Sequence, residues 1–559
     1  MRNALLLLSL VVLLMGTACQ SGNHPAGTKA TLIYKNARIW TGDSSLPAAT
    51  GIAIRDSIIL YVGDHPDSLS GEHTEVIDAG GQFIVPGFID NHTHFLSGGY
   101  QLASVNLRNA KSKAEFISIL KTYVATLKDD RWIQGGDWDH EAMGGSLPAK
   151  DWIDSISGNH PVFVNRYDGH MALANSATLK IAGIDKYTKS PAGGEIVRDP
   201  KTGEPTGVLK DAAMDLVYVK VPAFTPAQLD EMLQRATSHA LQNGVTEVND
   251  VGSYGDWTDL ETYTRAHQNN LLNIRIYSFV PLKSWAKLVT YVKENGKGDD
   301  LLHWGALKGF VDGSLGSTTA WFYQPYLDNP GSRGLLIADT IELRRDILGA
   351  DAAGLQVAVH AIGDRANDWL LDVFEEAHKA RGNTSSRFRI EHAQHLSAAA
   401  IPRFAALNVI PSMQPYHAID DGRWAAKRLE DDRLKRTYAF KSLLDNGAGL
   451  TFGSDWTVGP LSPIEGIYAA VTRRTLDGAD PNGWYPGQKI SVDEALRCYT
   501  VNNAFAGFRE KKSGMLKAGM LADFVLLSDD LFKVAPEKIK DVKVIRTILN
   551  GKLVYDAGL

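Results

Sequence analysis

From residue 31 onward the apolar positions fall into short runs with two different periods. Near the start the runs are strand-like: Thr31 to Trp40, Gly51 to Val62 and Glu75 to Val85, broken by Gly, Asp and Pro. The far end returns to that style. Ala522 to Leu527 and Val542 to Leu549 read as strands, and Asn550-Gly551 reads as a hairpin turn. Between them the pattern alternates. The apolar stretch Phe88-Ile89-Asp90-Asn91-His92-Thr93-His94 ends in polar residues. Seven further strand candidates follow: Gly244 to Val251, Asn273 to Val280, Gly305 to Val311, Leu355 to Ala361, Arg387 to Ala393, Asn408 to Met413 and Gly449 to Ser454. Helical spacing separates most of them, most clearly over Pro226 to Gln242 and Asp364 to Arg381.

Eight strands with crossovers predict an α/β fold, a (β/α)8 barrel of the TIM type. A doubly wound open sheet is the rival, but no Gly-rich nucleotide loop follows any strand. The terminal strands predict a small β-sandwich domain built from both ends, residues 31–86 and 515–559, with the barrel of 87–514 inserted into it. Residues 98–225 separate the first strand from the first regular helix. That is too long for a structureless loop, so an inserted subdomain near the barrel mouth is expected there.

Composition narrows the partners. The 559 residues are 44% hydrophobic, which allows a large core, and the formal net charge is −6 without a long Lys/Arg run. Binding to nucleic acid rests mainly on phosphate neutralisation, so that class is excluded and a small-molecule partner is expected. Two cysteines, Cys19 and Cys498, cannot build a disulfide framework or a Cys-rich zinc site. Cys19 has another meaning. Met1-Arg2-Asn3, an apolar run from Ala4 to Met15 and then Gly16-Thr17-Ala18-Cys19 describe a signal peptide too short to span a bilayer. A Cys after small residues resembles a bacterial lipobox, with Gly16 where Leu is usual. The expectation is an exported protein, periplasmic or tethered to the membrane through a lipid on Cys19, with residues 1–30 as signal peptide and tether. The plainer alternative is cleavage after Ala18 and a soluble exported protein.

The chemistry gathers at strand ends. His92 and His94 are two apart, so on a strand both face one side. His360 and His392 end their strands, and Asp455 follows Gly453-Ser454. Taken singly, each His reads as an ordinary hydrogen-bonded residue and the Asp as a turn former or N-cap. Taken together they close strands one, five, six and eight, at the face where barrel active sites lie. Imidazole and carboxylate suit a divalent metal, with Zn the leading candidate and Mn and Fe open.

These segments resemble the amidohydrolase superfamily, in particular the amidohydrolase-3 group with its N-substituted formamide deformylase-like proteins. The likeness is carried by Phe83-Ile84-Val85-Pro86-Gly87-Phe88-Ile89-Asp90-Asn91-His92-Thr93-His94, Val359-His360-Ala361-Ile362-Gly363-Asp364-Arg365-Ala366, Arg389-Ile390-Glu391-His392-Ala393-Gln394, Gly453-Ser454-Asp455-Trp456 and Gly519-Met520-Leu521-Ala522-Asp523-Phe524-Val525. The resemblance implies metal-site roles for His92, His94, His360, His392 and Asp455. It also implies a carboxylated lysine on the fourth strand, which falls on Lys308. Burial lowers the cost of neutral Lys, and its carbamate would be an anionic ligand for one or two ions. The alternative is an ion pair with Asp312, which shares its parity. Arg166-Tyr167-Asp168-Gly169-His170 also resembles the group, so Arg166, His170 and Asp312 are expected near substrate. Further pocket residues are expected from Met413-Gln414-Pro415-Tyr416-His417. Trp132, Trp138 and Trp152 suggest room for an apolar substituent.

The function implied is a metal-dependent hydrolase cleaving a non-peptide C–N bond of an amide, formamide or cyclic amide by metal-activated water. Asp455 would carry the proton to the leaving nitrogen, with His360 or His392 assisting. Deamination of a ring or amidine carbon is the alternative within enzymes. An exported metal- or solute-binding protein without turnover is the alternative outside them, and a purely structural barrel is the third.

Overall fold

The computed structural model describes residues 29–558, apart from 128–129, 167–170, 192–193, 253–255 and 317. Cys19 and the signal peptide expected around it, and His170, lie outside the described residues. Eight parallel strands form one sheet in chain order: β1 (Phe88–Thr93), β2 (Val245–Asp250), β3 (Arg275–Pro281), β4 (Leu302–Phe310), β5 (Gln356–Ala361), β6 (Arg389–His392), β7 (Ile410–Met413) and β8 (Thr451–Phe452). Thr93 bridges Trp456 in parallel, which brings the two edges together and makes the barrel. A small apolar cluster, Val251, Tyr277, Phe279, Ala306 and Ala358, lies on or next to its strands beside buried polar residues.

The helices are α1 (Phe95–Ala103), α2 (Pro226–Gln242), α3 (Thr258–Gln268), α4 (Trp285–Asn295), α5 (Thr340–Ala352), α6 (Asp364–Arg381), α7 (Ala400–Ala406) and α8 (Pro415–Asp421), with shorter ones after β8. Their ends have local causes. α2 starts at a capping box between Thr225 and Gln228 with Pro226 in its first turn, and α6 stops at Gly382 with φ 71°. Their inner faces (Leu229, Leu233 and Ala236 on α2, Leu370, Leu371 and Phe374 on α6) bury against the strands in the main core. Each fully buried Leu or Phe contributes about 1.5–3 kcal/mol.

α1 corrects the sequence reading. A helix follows β1 directly, so the long interval before α2 does not lack regular helix at its start. Phe95-Leu96-Ser97-Gly98-Gly99 reads poorly as helix because glycine is costly there. The structure supplies the reason for both glycines. A Cβ on Gly98 would overlap the Trp456 ring, and one on Gly99 would overlap the Met232 carbonyl of α2. The rest of the interval forms a six-stranded sheet between Val105 and Asp211. Trp138 and Trp152 belong to its own apolar core, so they do not offer rings to a substrate.

Both ends of the chain build two further sheets. One pairs Leu32–Lys35, Gly51–Arg55, Ile58–Gly63 and Glu75–Asp78. The other joins Arg38–Trp40, Ala48–Ala49 and Phe83–Pro86 to Phe524–Leu527, Val544–Leu549 and Lys552–Asp556. Tyr34, Ile52, Ile54, Ile84, Phe524 and Ile548 fill the space between them. Asn550 and Gly551 turn the last hairpin at φ 52° and 70°, the left-handed pair a two-residue turn needs. A buried ion pair ties this domain to the barrel: Arg275 of β3 donates Nε to Asp523 Oδ2 at 2.6 Å and Nη2 to Oδ1 at 3.0 Å.

Candidate metal centre

The C-terminal ends of the barrel strands converge on one buried space. His92 Nε2 stands 3.4 Å from Asp455 Oδ1, and His94 Nε2 stands 3.3 Å from the same oxygen. Ligand atoms about 2.0–2.1 Å from a shared tetrahedral ion lie roughly 3.3–3.4 Å apart. Both histidine nitrogens therefore stand at the spacing of a coordination edge from Asp455 Oδ1, and the three atoms lie within 4.8 Å of one another. The ring centroid of His92 is 4.9 Å from that of His392, and His392 is 4.5 Å from His360. Lys308 Nζ is 3.3 Å from His92 Nε2. Residues from strands one, four, five, six and eight thus share a single cluster.

Each ring is aimed by the nitrogen it does not present. His92 Nδ1 bonds Glu391, His94 Nδ1 lies 2.6 Å from the Gly252 carbonyl, and His392 Nδ1 lies 2.8 Å from Gln414 Oε1. That leaves Nε2 as the nitrogen each of these rings presents to the cluster, where those of His92 and His94 face Asp455. His360 is turned the other way, donating Nε2 to the Gly313 carbonyl at 3.1 Å, which leaves Nδ1. Such outer partners set tautomer and orientation in metal sites.

Simple strand alternation does not produce this arrangement. The pairing of β1 with β2 shifts register between Asp90 and Thr93, a bulge. Asn91 reaches Ser412 and Thr451 across the barrel interior at 3.1 and 2.9 Å, while its neighbour His92 also faces inward. His94 lies beyond the strand and opens α1. At β6, Glu391 is inside, and His392 joins it by adopting φ 75°, a region that non-glycine residues seldom use. Asp455 takes φ 53°. Its position is fixed by its own N–H to the His92 carbonyl at 2.8 Å. Asp90 accepts the amides of His92 at 3.1 Å and Ser454 at 3.0 Å, pinning β1 to the turn after β8.

The electrostatics follow from burial. Burial alone would raise the carboxyl of Glu391, yet Arg389 and His92 beside it hold it well below its ordinary value. Asp455 is likewise held well below its ordinary value against burial, by the hydrogen bonds and charge of His92 and by His94. Burial lowers Lys308 to about 8 against the pull of Glu391 and Asp455. It lowers His360 to about 3, with Lys308 adding to the effect. His360 and, with its value likewise well below the ordinary imidazole range, His392 are therefore neutral while Asp455 is ionised, the protonation states that bind cations.

A family model described as "Amidohydrolase family" matches residues 75–555. The chain belongs to the amidohydrolase family. Relatives of this amidohydrolase agree along nearly its whole length. It is 42% identical to the Arabidopsis thaliana protein LONG AFTER FAR-RED 3, over 95% of this chain and 92% of that one. It is 27% identical to N-substituted formamide deformylase of Arthrobacter pascens, over 94% and 98%. Among solved structures, an uncharacterized metal-dependent hydrolase from Pyrococcus horikoshii superposes with TM-score 0.75 at 29% identity, covering 90% of this chain and 99% of that one.

Not every residue singled out in the sequence joins the cluster of this amidohydrolase. Asp312, expected beside substrate or Lys308, has both oxygens committed to backbone. It accepts the amides of Trp321 at 2.7 Å, Ile362 at 2.9 Å and Gly363 at 2.8 Å, and stands 3.6 Å from His360 Nε2. It braces the loops after β4 and β5. Arg166 lies on the strand Phe163–Arg166 of the inserted sheet, with Nε on His140 Nδ1 at 3.2 Å. Glu391 and Arg389 carry no role in the sequence reading, and Gln414, expected there as a pocket residue, instead holds His392 Nδ1 at 2.8 Å. Glu391 stood next to His392 in the sequence, but nothing there indicated a contact with His92, 299 positions away. A cavity of about 550 Å³ opens beside His94 and Lys308, walled by Val251, Leu282, Phe310, Ile337 and Leu343.

Proposed function

We propose that this amidohydrolase cleaves a non-peptide C–N bond in a small amide, with N-substituted formamides and cyclic amides as the leading substrates. The observation that carries the reading is the edge geometry of His92, His94 and Asp455 around one point. Imidazoles with an ionised carboxylate fit a divalent ion, Zn first among the candidates. A cation held there supplies Lewis-acid chemistry, acidifying a water and polarising the scissile carbonyl.

The chain's own groups do the rest. Asp455 is ionised and buried, so it can accept the water proton and pass it to the leaving nitrogen, which departs poorly unless protonated. His360 and His392 turn one ring nitrogen each into the same space, where they can orient the carbonyl oxygen or complete the ion's surroundings. Lys308 has a neutral fraction near pH 8, and a neutral amine adds CO2 to give a carbamate and a proton. The carbamate would then serve as a further anionic ligand. The apolar cavity beside His94 and Lys308 is of ligand size and suits the substituent on nitrogen. The deformylase relative supports the same choice of bond.

The test is a substrate screen on metal-free and zinc-loaded protein, with N-formyl amines, N-acyl amino acids, cyclic amides and aminated heterocycles. The expected result is metal-dependent release of amine from one of the amide classes. Equal inactivity on every amide would remove the assignment, and ammonia from a heterocycle would replace it with deamination.

A further inference from the structure

We propose that a cavity at the N-terminal end of the barrel, on the face opposite the metal centre, binds a planar heterocycle carrying an amide edge. The cavity holds about 460 Å³, within the range of small-molecule sites. It opens between the starts of β3, β4 and β5 and the turn after the helix Val501–Ala506, with Tyr277, His303, Gln356 and Arg509 in its wall. His303 and Lys308 share β4, and the strand between them spans roughly 16 Å. An occupant of this cavity is therefore not a molecule held at the metal.

Buried polar groups nearly always find partners, yet three side chains in this wall keep unmet atoms. Gln356 is 3% exposed. Its Nε2 donates to the carbonyls of Arg387 at 3.0 Å and Ala506 at 2.9 Å, while its Oε1 has no partner. Arg509 is 7% exposed. It spends Nη1 on Asp300 Oδ1 at 2.7 Å and Nη2 on the Asp300 carbonyl at 3.1 Å, and its Nε has none. His303 lies flat against Tyr277, ring centroids 4.2 Å apart and 10° from parallel. The Gly507 backbone is near it, but neither ring nitrogen meets a partner at hydrogen-bond geometry. Burial, with Arg509 adding to it, lowers this ring to about 3. It is neutral, so one nitrogen donates and the other accepts.

The unmet needs are of both kinds, and that selects the ligand. Arg509 Nε is a donor and Gln356 Oε1 is an acceptor. A carboxylate or phosphate would serve the first and leave the Gln356 oxygen without a proton to accept. An N–H beside a C=O, as in a lactam or a nucleobase, serves both. The remaining wall favours a flat ring, because Trp304 and Phe508 border the cavity together with His303. Phe508 stays half-exposed there on a left-handed backbone, φ 59°, a region that non-glycine residues seldom use.

The experiment titrates zinc-loaded wild type with uracil and hypoxanthine by calorimetry. The controls are 1,3-dimethyluracil, whose N–H groups are blocked, and benzoate. Hydrogen exchange locates each bound molecule. At least one base should bind with a dissociation constant below about 1 mM, and dimethyluracil at least about tenfold more weakly. Protection should fall on the amides at the starts of β4 and β5. His303→Phe keeps a ring against Tyr277 and removes both nitrogens, which should weaken binding about tenfold or more, the equivalent of one hydrogen bond. Ser385→Trp crowds the same cavity and should weaken it as much. His94→Ala, at the metal centre, should leave it unaltered. Binding of neither base, equal binding of dimethyluracil, protection at the C-terminal strand ends, or unaltered affinity in both cavity variants overturns the proposal. Tighter binding of benzoate than of either base overturns it too, by making this a site for anions.

Discussion

At the scale of single residues, this centre is built by side chains that bind nothing themselves. Glu391 is the clearest case. It lies inside the barrel between Arg389, whose Nε reaches it at 2.7 Å, and His92. Its negative charge keeps Nδ1 of His92 as the donor and Nε2 as the ligand. Glu391→Gln is expected to weaken zinc binding about 10–100-fold, the usual cost of losing such a partner, with little change in secondary structure. Competition dialysis against a chelator measures it, and an unchanged zinc affinity would show that His92 needs no such support.

Among the secondary-structure elements, the seat of α1 decides whether β1 and β8 meet correctly. Gly98 and Gly99 let the helix lie against Trp456 and Met232. Trp456 in turn accepts the His94 amide at 2.8 Å, one residue from Asp455. Gly99→Ala forces α1 away from α2 and is expected to cost about 1–3 kcal/mol, the usual penalty for overpacking. The same displacement loosens His94, so metal content should fall together with the thermal midpoint. A variant that melts lower yet keeps full zinc would separate the helix seat from the metal site.

For the molecule as a whole, stability depends on groups far from the chemistry. Asp523 receives two bonds from Arg275 and one from the Asn550 amide at 2.8 Å, clamping the sandwich to the barrel. This explains the Ala522-Asp523-Phe524 segment better than a catalytic role would. Asp523→Ala leaves Arg275 buried without its counter-charge and should cost about 3–5 kcal/mol, read by urea unfolding. Acid sensitivity has a second source. His395 is buried against Thr437 and lowered by burial from 6.5 to about 3, with Arg433 adding to it. The unfolded chain protonates this ring below pH 6.5 while the folded one does not, so its neutrality costs nothing above 6.5 and destabilises progressively as pH falls toward 3. Between pH 6.5 and 5 the loss from this group is about 2 kcal/mol. His395→Gln should flatten the dependence of unfolding on pH in that window by about one proton. An unchanged slope would mean that the ring is charged in the folded state.

What the chain determines by itself is the order of things. The periods of apolar residues mark all eight barrel strands, and Pro226–Gln242 and Asp364–Arg381 are helices over the same residues that the spacing indicates. Those patterns are local, since burial on one face of an element is written within that element. The motifs His92-Thr93-His94, Glu391-His392 and Ser454-Asp455 are legible for the same reason. Aim is not local. The bulge that turns both Asn91 and His92 inward, the φ of 75° at His392, the bond between His92 and Glu391, 299 positions apart, and the oxygens of Asp312, committed to amides 9, 50 and 51 positions on, all depend on neighbours from other elements. Alternation along one strand carries no information about what closes against it. Only the closed barrel decides which nitrogen of each histidine is left to bind, because the other is taken by whatever the fold has packed behind it.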